Sequence, residues 1–292
     1  MDLQEYFKRR IVTINEALDN LLPAENVPPS QVHSAMRYSI FAGGKRVRPI
    51  LFMAACEALG EDWHPLMPFA CALEMIHTYS LIHDDLPCMD DDDLRRGHPT
   101  CHKIYTESTA LLAGDALLTQ AFTILTELKA QPDRVVKAIG LLGASAGSLG
   151  MVGGQVIDLE CENKKITPEL MKTIHSKKTG ALFNVSIVGA AILTGTDNIK
   201  LQALQIYAEN IGVAFQIVDD ILDVVGDEKL IGKPVGSDER NQKATYPVLF
   251  GLENSRKMAK EAIDNALKAI GIFSEKAEAL QSIAQFILNR DH

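Results

Sequence analysis

The sequence lacks several features that define whole classes of protein. Its cysteines are odd in number and form no CxxC pair, so we expect buried free thiols in a reducing cytosol. The net charge is −9 and the chain has no basic stripe, which argues against nucleic acid as a partner. The negative net charge does not argue against a small phosphate ligand, because such a ligand responds only to the electrostatic field at its own site.

Long apolar runs are also scarce. Residues 1–22 are charged and amphipathic, without the uninterrupted apolar core of a signal peptide. The most apolar segment, 180–195, contains Asn184 and is short for a bilayer span. We therefore expect a cytoplasmic protein without stable membrane insertion.

The chain shows no linker, no low-complexity stretch and essentially no alternating strand pattern. A length of 292 residues suggests about two domains by size, but the uniform composition fits one helical domain over 1–292 better. Helical spacing predicts helices over 3–22, 32–41, 50–59, 110–128, 135–151, 167–178 and 201–225. The expected fold class is therefore all-α, a single large helical bundle.

Six aspartates are concentrated in residues 82–98, IHDDLPCMDDDDLRRGH, after an apolar helical stretch. An acidic run alone usually marks a solvated surface. Here Pro87 separates Asp84 and Asp85 from the run that starts at Asp90. Because proline disfavours helix at the preceding residue, we expect the helix to kink or stop there and Asp90 to fold back towards Asp84.

A second acidic cluster, Asp219, Asp220 and Asp223, ends the apolar run IGVAFQIV. Residues four apart share a helix face, so Asp219 and Asp223 point the same way and would repel each other without a cation. Sites made only of carboxylate oxygens select hard cations, Mg²⁺ above all when phosphates supply further ligands. Arg95 and Arg96 offer forked donors for phosphate oxygens. The residues thus indicate Mg²⁺ bound around a di- or polyphosphate.

The stretches DDLPCMDDDDLRRG and FQIVDDILD resemble the two aspartate-rich motifs of the trans-isoprenyl diphosphate synthases. With GGKRVRP and KTG in the same order, the resemblance covers nearly the whole chain and is closest to short-chain bacterial farnesyl diphosphate synthases. It implies the isoprenoid synthase fold, about ten helices around a central cavity that both clusters face, and a homodimer. It also implies head-to-tail 1′-4 condensation of isopentenyl diphosphate with dimethylallyl and geranyl diphosphate.

The resemblance assigns roles to individual residues. About three Mg²⁺ ions would be held by the six aspartates Asp84, Asp85, Asp90, Asp219, Asp220 and Asp223. Isopentenyl diphosphate would be held by Lys45, Arg48, His77 and Arg96. The allylic diphosphate and the carbocation would be met by Arg95, Lys178, Thr179, Gln216, Lys233 and Lys243.

Product length is expected to depend on Tyr79 and Ser80, which lie about one helical turn before Asp84. An aromatic ring there goes with fifteen-carbon products in the family, which favours farnesyl diphosphate. A geranylgeranyl diphosphate synthase is the alternative. A terpene cyclase needs no second diphosphate site, so GGKRVRP argues against it, and a non-catalytic synthase subunit could lose its aspartates, whereas both clusters are present here.

Overall fold

The computed structural model describes residues 1–162, 164, 166–225 and 245–290, and these are almost entirely helical. Lys233 and Lys243 therefore lie outside the described residues. Backbone contacts divide the chain into two compact units. The first, called the N-terminal unit here, comprises 2–53 and 62–135, and the second, the C-terminal unit, comprises residue 1, 54–61 and the described residues from 136 onwards. The expected all-α class is confirmed, whereas the single domain over 1–292 stays a prediction.

The helices of the first part of the chain are α1 Leu3–Leu21, α2 Ser30–Phe41, α3 Val47–Leu59, α4 Met67–Asp84, α5 Cys101–Ile104 and α6 Glu107–Ile124. Short 3₁₀ turns cover His64–Leu66 and Leu125–Glu127. In the N-terminal unit, α4 packs against α6 and α1, and its core side chains from Phe69 to Ile76 are buried all round. Burial on every side explains why α4 reads as a nearly continuous apolar run.

The remaining helices are α7 Pro132–Ala146, α8 Met151–Cys161, α9 Pro168–His175, α10 Ala181–Thr194, α11 Asn198–Val225, α12 Tyr246–Phe250, α13 Leu252–Ala269 and α14 Glu278–Asn289. A π-helical turn, Ser176–Gly180, joins α9 to α10, and a 3₁₀ stretch, Ile270–Ala277, precedes α14. In the C-terminal unit the long α11 packs against α10, α13 and α14. The buried Tyr207 hydroxyl donates to the Leu280 carbonyl over 2.7 Å and ties α11 to α14.

Several predicted helices differ from the observed helices at their ends. The predicted helix over 135–151 corresponds to α7, which ends at Ala146, and only its last residue, Met151, belongs to α8. The predicted start at Ile50 was three residues late, because α3 begins at Val47 and Pro49 lies in its first turn. Proline is tolerated in a first turn because the N–H groups there have no partner within the helix.

Two stretches, Glu107–Glu127 and Pro132–Cys161, are long and apolar enough to cross a membrane by length and composition. Neither stretch includes 180–195, the most apolar segment by sequence. Core helices of globular proteins pass the same test, and α6 carries the buried side chains Ala113, Leu117 and Ala121 on the face that packs in its unit.

Candidate active site

The first aspartate cluster folds back on itself as expected. Helix α4 ends at Asp84, and the Asp90 N–H donates to the Asp84 carbonyl over 2.9 Å. The Met89 N–H donates to Leu86 across the turn that contains Pro87, and Asp91 adopts a left-handed φ of 49°. The backbone of Asp90 therefore returns to the end of the helix, which confirms the predicted break.

Asp85 is turned inward rather than towards solvent. Its side chain is 5% exposed, and its Oδ1 accepts a hydrogen bond from Arg95 Nε over 2.9 Å. Arg95 Nη2 also donates to Asp92 Oδ2 over 2.8 Å, so one guanidinium neutralises two members of the cluster. Burial raises the pKa of Asp85 in spite of the opposing charge of Arg95. The metal role of Asp85 and the phosphate role of Arg95 stay predictions.

A β-hairpin with a two-residue loop directs the adjacent Arg95 and Arg96 to different partners. Strands β1 Leu94–Arg95 and β2 His98–Pro99 pair antiparallel, and the two loop residues, Arg96 and Gly97, have φ of 54° and 77°. Positive φ at both loop positions is the type I′ geometry that suits a hairpin. Arg95 thus reaches the aspartates, whereas Arg96 donates from Nη1 to the Gly43 carbonyl in the loop that follows α2. The sequence pattern did not predict this hairpin, although the glycine after the two arginines was a signal.

The basic loop, the name used here for residues 43–48, follows α2, runs into the first turn of α3, and carries Lys45 and Arg48. Lys45 is exposed, while burial lowers the pKa of Arg48 to about 10 although Glu74 acts in the opposite direction. His77, on the neighbouring turn of α4, has a pKa well below its usual value because of burial and then because of Arg48 and Arg96. A neutral imidazole therefore stands among guanidinium groups, and this environment favours an anion.

Tyr79 and Ser80 lie on α4 before the first cluster. Tyr79 is 6% exposed, and burial, with the charge of Asp84, raises its pKa to about 12. Its ring meets the His83 ring edge-on, with centroids 5.7 Å apart. The Ser80 hydroxyl donates to the His77 carbonyl over 2.9 Å. A bulky buried ring thus lies one turn from Asp84, as expected.

The three aspartates of the second cluster differ in their exposure to solvent. On α11, Asp219 is exposed and Asp223 is half-buried, while Asp220 between them is 2% exposed. Arg290, which follows α14, donates from Nη2 to Asp219 Oδ1 over 2.9 Å and lies over the Phe215 ring at 4.1 Å. The role of the chain end was open in the sequence, and this contact gives it a carboxylate partner.

A chain of hydrogen bonds leads inward from the KTG segment. Thr179 Oγ1 donates to Gln216 Oε1 over 2.9 Å, and Gln216 Nε2 donates to Asp220 Oδ1 over 2.8 Å. Asp220 Oδ2 accepts the Tyr246 N–H over 2.9 Å. A carboxylate can only accept, so Asp220 fixes the orientation of the Gln216 amide, and the Thr179 oxygen keeps its lone pairs for another partner.

The KTG segment is itself unusual because Ser176–Gly180 is a π-turn, a feature frequent at functional sites. Lys178 Nζ donates to Asp158 Oδ2 on α8 over 2.7 Å. Gly154 of α8 lies against the Lys178 backbone, where a Cβ would overlap it. The absence of a side chain at Gly154 thus permits the close approach that places Lys178 beside Asp158.

The donor chemistry fits Mg²⁺ that shares its ligands with a phosphate. Among the described residues, no three His, Cys, Asp or Glu side chains are grouped so that they could hold a metal on their own. Mg²⁺ is commonly held by one or two carboxylates, water and substrate phosphates rather than by a full protein cage. Asp84, Asp90, Asp219 and Asp223 are exposed or half-buried, and their metal role stays a prediction.

Comparison with known proteins places this geometry in a family. The sequence profile described as polyprenyl synthetase matches residues 29–285. The chain belongs to the polyprenyl synthetase family. It is 46% identical over 294 residues to geranylgeranyl diphosphate synthase of Cyanophora paradoxa, covering 100% of this chain and 97% of the relative. It is 45% identical over 267 residues to farnesyl diphosphate synthase of Bacillus subtilis strain 168, covering 90% of each.

The fold agrees with the family. The crystal structure of geranylgeranyl pyrophosphate synthetase from Pyrococcus horikoshii superposes with a TM-score of 0.90 at 35% identity, covering 99% of this chain and 98% of that one. The predicted resemblance is therefore confirmed, and the protein is a trans-prenyltransferase of the polyprenyl synthetase family. Members of this family act on isoprenoid diphosphates and generally use Mg²⁺.

Proposed function

We propose that this prenyltransferase makes farnesyl diphosphate by condensing isopentenyl diphosphate first with dimethylallyl and then with geranyl diphosphate. The observation that carries the proposal is the hairpin that directs Arg95 to the aspartates and Arg96 to the basic loop. Two adjacent guanidinium groups aimed at different surroundings suit two separate diphosphates. A cyclase, with a single diphosphate to bind, has no use for the second arrangement.

The allylic diphosphate would bind beside the aspartates. Asp84, Asp90 and Asp219, with Asp85, Asp220 and Asp223, would hold Mg²⁺, about three ions by resemblance. When bound, Mg²⁺ neutralises the diphosphate and acts as a Lewis acid as the C–O bond ionises. Arg95 and Lys178 add positive charge from the protein, as would Lys233 and Lys243.

The developing allylic cation is met by oxygen dipoles. Because the Thr179 hydroxyl donates its hydrogen bond to Gln216, its oxygen lone pairs would be available to a positive charge. The Gln216 carbonyl and the Lys178 carbonyl are the other candidates from the sequence. Fixed dipoles of this kind stabilise charge strongly only where water is excluded.

Isopentenyl diphosphate would be bound by Lys45, Arg48, His77 and Arg96. Once the C–O bond to the allylic diphosphate has ionised, the double bond of isopentenyl diphosphate attacks the allylic carbon, a C–C bond forms, and a proton leaves the adjacent carbon. The released pyrophosphate accepts that proton in the mechanism implied by the family. His77, kept neutral by burial and by the arginines around it, offers a hydrogen bond to the anion without adding charge.

Tyr79 favours a fifteen-carbon product, because its buried ring lies one turn below Asp84 on the helix along which a growing chain would extend. The identity of 46% to a geranylgeranyl diphosphate synthase keeps the twenty-carbon product as the second candidate. We also propose a cytoplasmic homodimer. Leu111 and Leu112 on α6 are 46% and 53% exposed, and a second copy would cover such an apolar surface.

The test is incubation with radiolabelled isopentenyl diphosphate, dimethylallyl diphosphate and Mg²⁺, followed by chromatography of the products. Acid-labile material of fifteen carbons is expected. Twenty-carbon diphosphate would support the second candidate, neutral hydrocarbon would indicate a cyclase, and no turnover would indicate a non-catalytic subunit. Light scattering of the same preparation measures the oligomeric state.

A further inference from the structure

The basic loop is held in a conformation that its sequence does not favour. Gly43 and Gly44 have φ of 95° and 119°, which glycine adopts readily, but Arg46 has φ of 49°. A non-glycine residue in the left-handed region persists only where the surrounding structure holds it there. The contacts of Arg46 therefore decide the shape of the loop between Lys45 and Arg48.

Those contacts are made by a buried side chain. Arg46 is 3% exposed, and its Nη1 donates to Glu74 Oε1 over 2.7 Å and to the Gly43 carbonyl over 3.3 Å. Nη2 donates to the Ile40 carbonyl over 2.6 Å, and Nε donates to Asn15 Oδ1 over 3.0 Å. Glu74 itself is 1% exposed. One guanidinium thus joins the loop to α1, α2 and α4, a geometry that needs the planar fork of arginine.

The Arg46–Glu74 pair also links the residues of the candidate isopentenyl diphosphate site. Glu74 lies three residues before His77, on the same side of α4. Arg46 stands between Lys45 and Arg48, and its carbonyl accepts the Ile50 N–H that starts α3. The loop that carries two cationic groups is therefore fastened to the helical turn that carries the third ligand.

We propose that the Arg46–Glu74 pair is a positioning element that sets Lys45 and Arg48 relative to His77 and thereby determines affinity for isopentenyl diphosphate. The proposal rests on the proposed function. In this role Arg46 touches no substrate and acts only through its neighbours. The sequence contained the signal, a third basic residue in GGKRVRP and a lone glutamate in an apolar helix, but did not pair them.

The test uses two changes in the full-length protein. Arg46→Lys keeps the charge but removes the fork, and Arg46→Met with Glu74→Met removes both charges, so that no buried charge is left unpaired. Because both changes alter packing in the core of the N-terminal unit, Leu18→Ala serves as the control for a change in core packing. Leu18 is fully buried on α1 of the same unit and is not among the residues proposed to bind substrate.

Calorimetric binding of isopentenyl diphosphate and the KM of each substrate are measured on folded samples checked by circular dichroism. We expect a loss of about tenfold or more in affinity for isopentenyl diphosphate, as for a lost charge-assisted contact, with the KM for geranyl diphosphate within about threefold. Leu18→Ala should change neither value beyond about threefold at a temperature where it is folded.

Unchanged affinity in either folded variant, an equal loss for both substrates, or the same loss in Leu18→Ala would overturn the positioning role. Wild-type protein that bound no isopentenyl diphosphate would overturn the proposed function, and this inference with it. A loss confined to the Arg46 variants and to isopentenyl diphosphate supports the inference.

Discussion

Replacement of Tyr79 by alanine should lengthen the product. The ring is 6% exposed and lies against the His83 ring on α4, five residues before Asp84. At 1.5 Å per residue, its Cα is about 7.5 Å along the helix axis from that of Asp84. A prenyl chain that extends along α4 from a diphosphate near Asp84 would meet the ring, and Tyr79→Ala removes this obstacle. Product should therefore move from fifteen to twenty carbons or more.

The stability loss can be estimated from burial. Truncation of a buried aromatic ring to alanine costs about 3–5 kcal/mol. For a protein of this size that corresponds to a fall in Tm of about 6–20 °C. Since domains have about 5–15 kcal/mol of stability, the variant still folds at 25 °C if the wild-type stability lies above the lower end of that range.

The assay is chromatography of the dephosphorylated products with excess isopentenyl diphosphate, beside a circular dichroism melt of the same sample. Tyr79→Phe is the matched control because it keeps the ring and removes only the hydroxyl, so product length should stay the same. A folded, active Tyr79→Ala protein that still stopped at fifteen carbons would refute the reasoning, and the floor of the pocket would lie elsewhere.

Further predictions concern the charged groups. Asp84→Ala or Asp219→Ala should lower turnover by several orders of magnitude in a folded protein, and activity within about tenfold of wild type at saturating Mg²⁺ would contradict a metal role. Arg96→Ala should raise the KM of isopentenyl diphosphate by about one to two decades and Arg95→Ala that of the allylic substrate, whereas a loss for the same substrate in both would contradict two sites. Arg290 pairs with Asp219 and would compete with Mg²⁺ for that carboxylate. In a Mg²⁺ titration with pyrophosphate present, followed by the rise in Tm, Arg290→Ala should therefore lower the Mg²⁺ concentration at the midpoint. The decrease should be up to about fivefold, since a pair with an exposed carboxylate is worth about 0–1 kcal/mol. An unchanged midpoint would show that Arg290 does not compete for Asp219.

Local patterns in the sequence determined the class of fold and the chemistry. Periodicity of apolar residues is sufficient to predict helices such as α1, α2 and α11, because amphipathic burial acts within a single segment. The break before Asp90 followed from Pro87, since its effect on the preceding residue is also local. The two acidic motifs and GGKRVRP were specific enough to indicate the family that the comparisons then showed.

Only the tertiary structure decided which partner each charged group has. The aspartates look alike in the sequence, yet Asp85 is paired with Arg95, Asp220 orients Gln216, and Asp219 meets Arg290. Similarly, Arg46 looks no different from its basic neighbours until α4 brings Glu74 to it. Gln216 and Asp220 are one turn apart on α11, but the other pairings join residues 10 to 71 positions apart. The energy that selects those pairings comes from burial and hydrogen-bond geometry, which do not exist until the helices have packed.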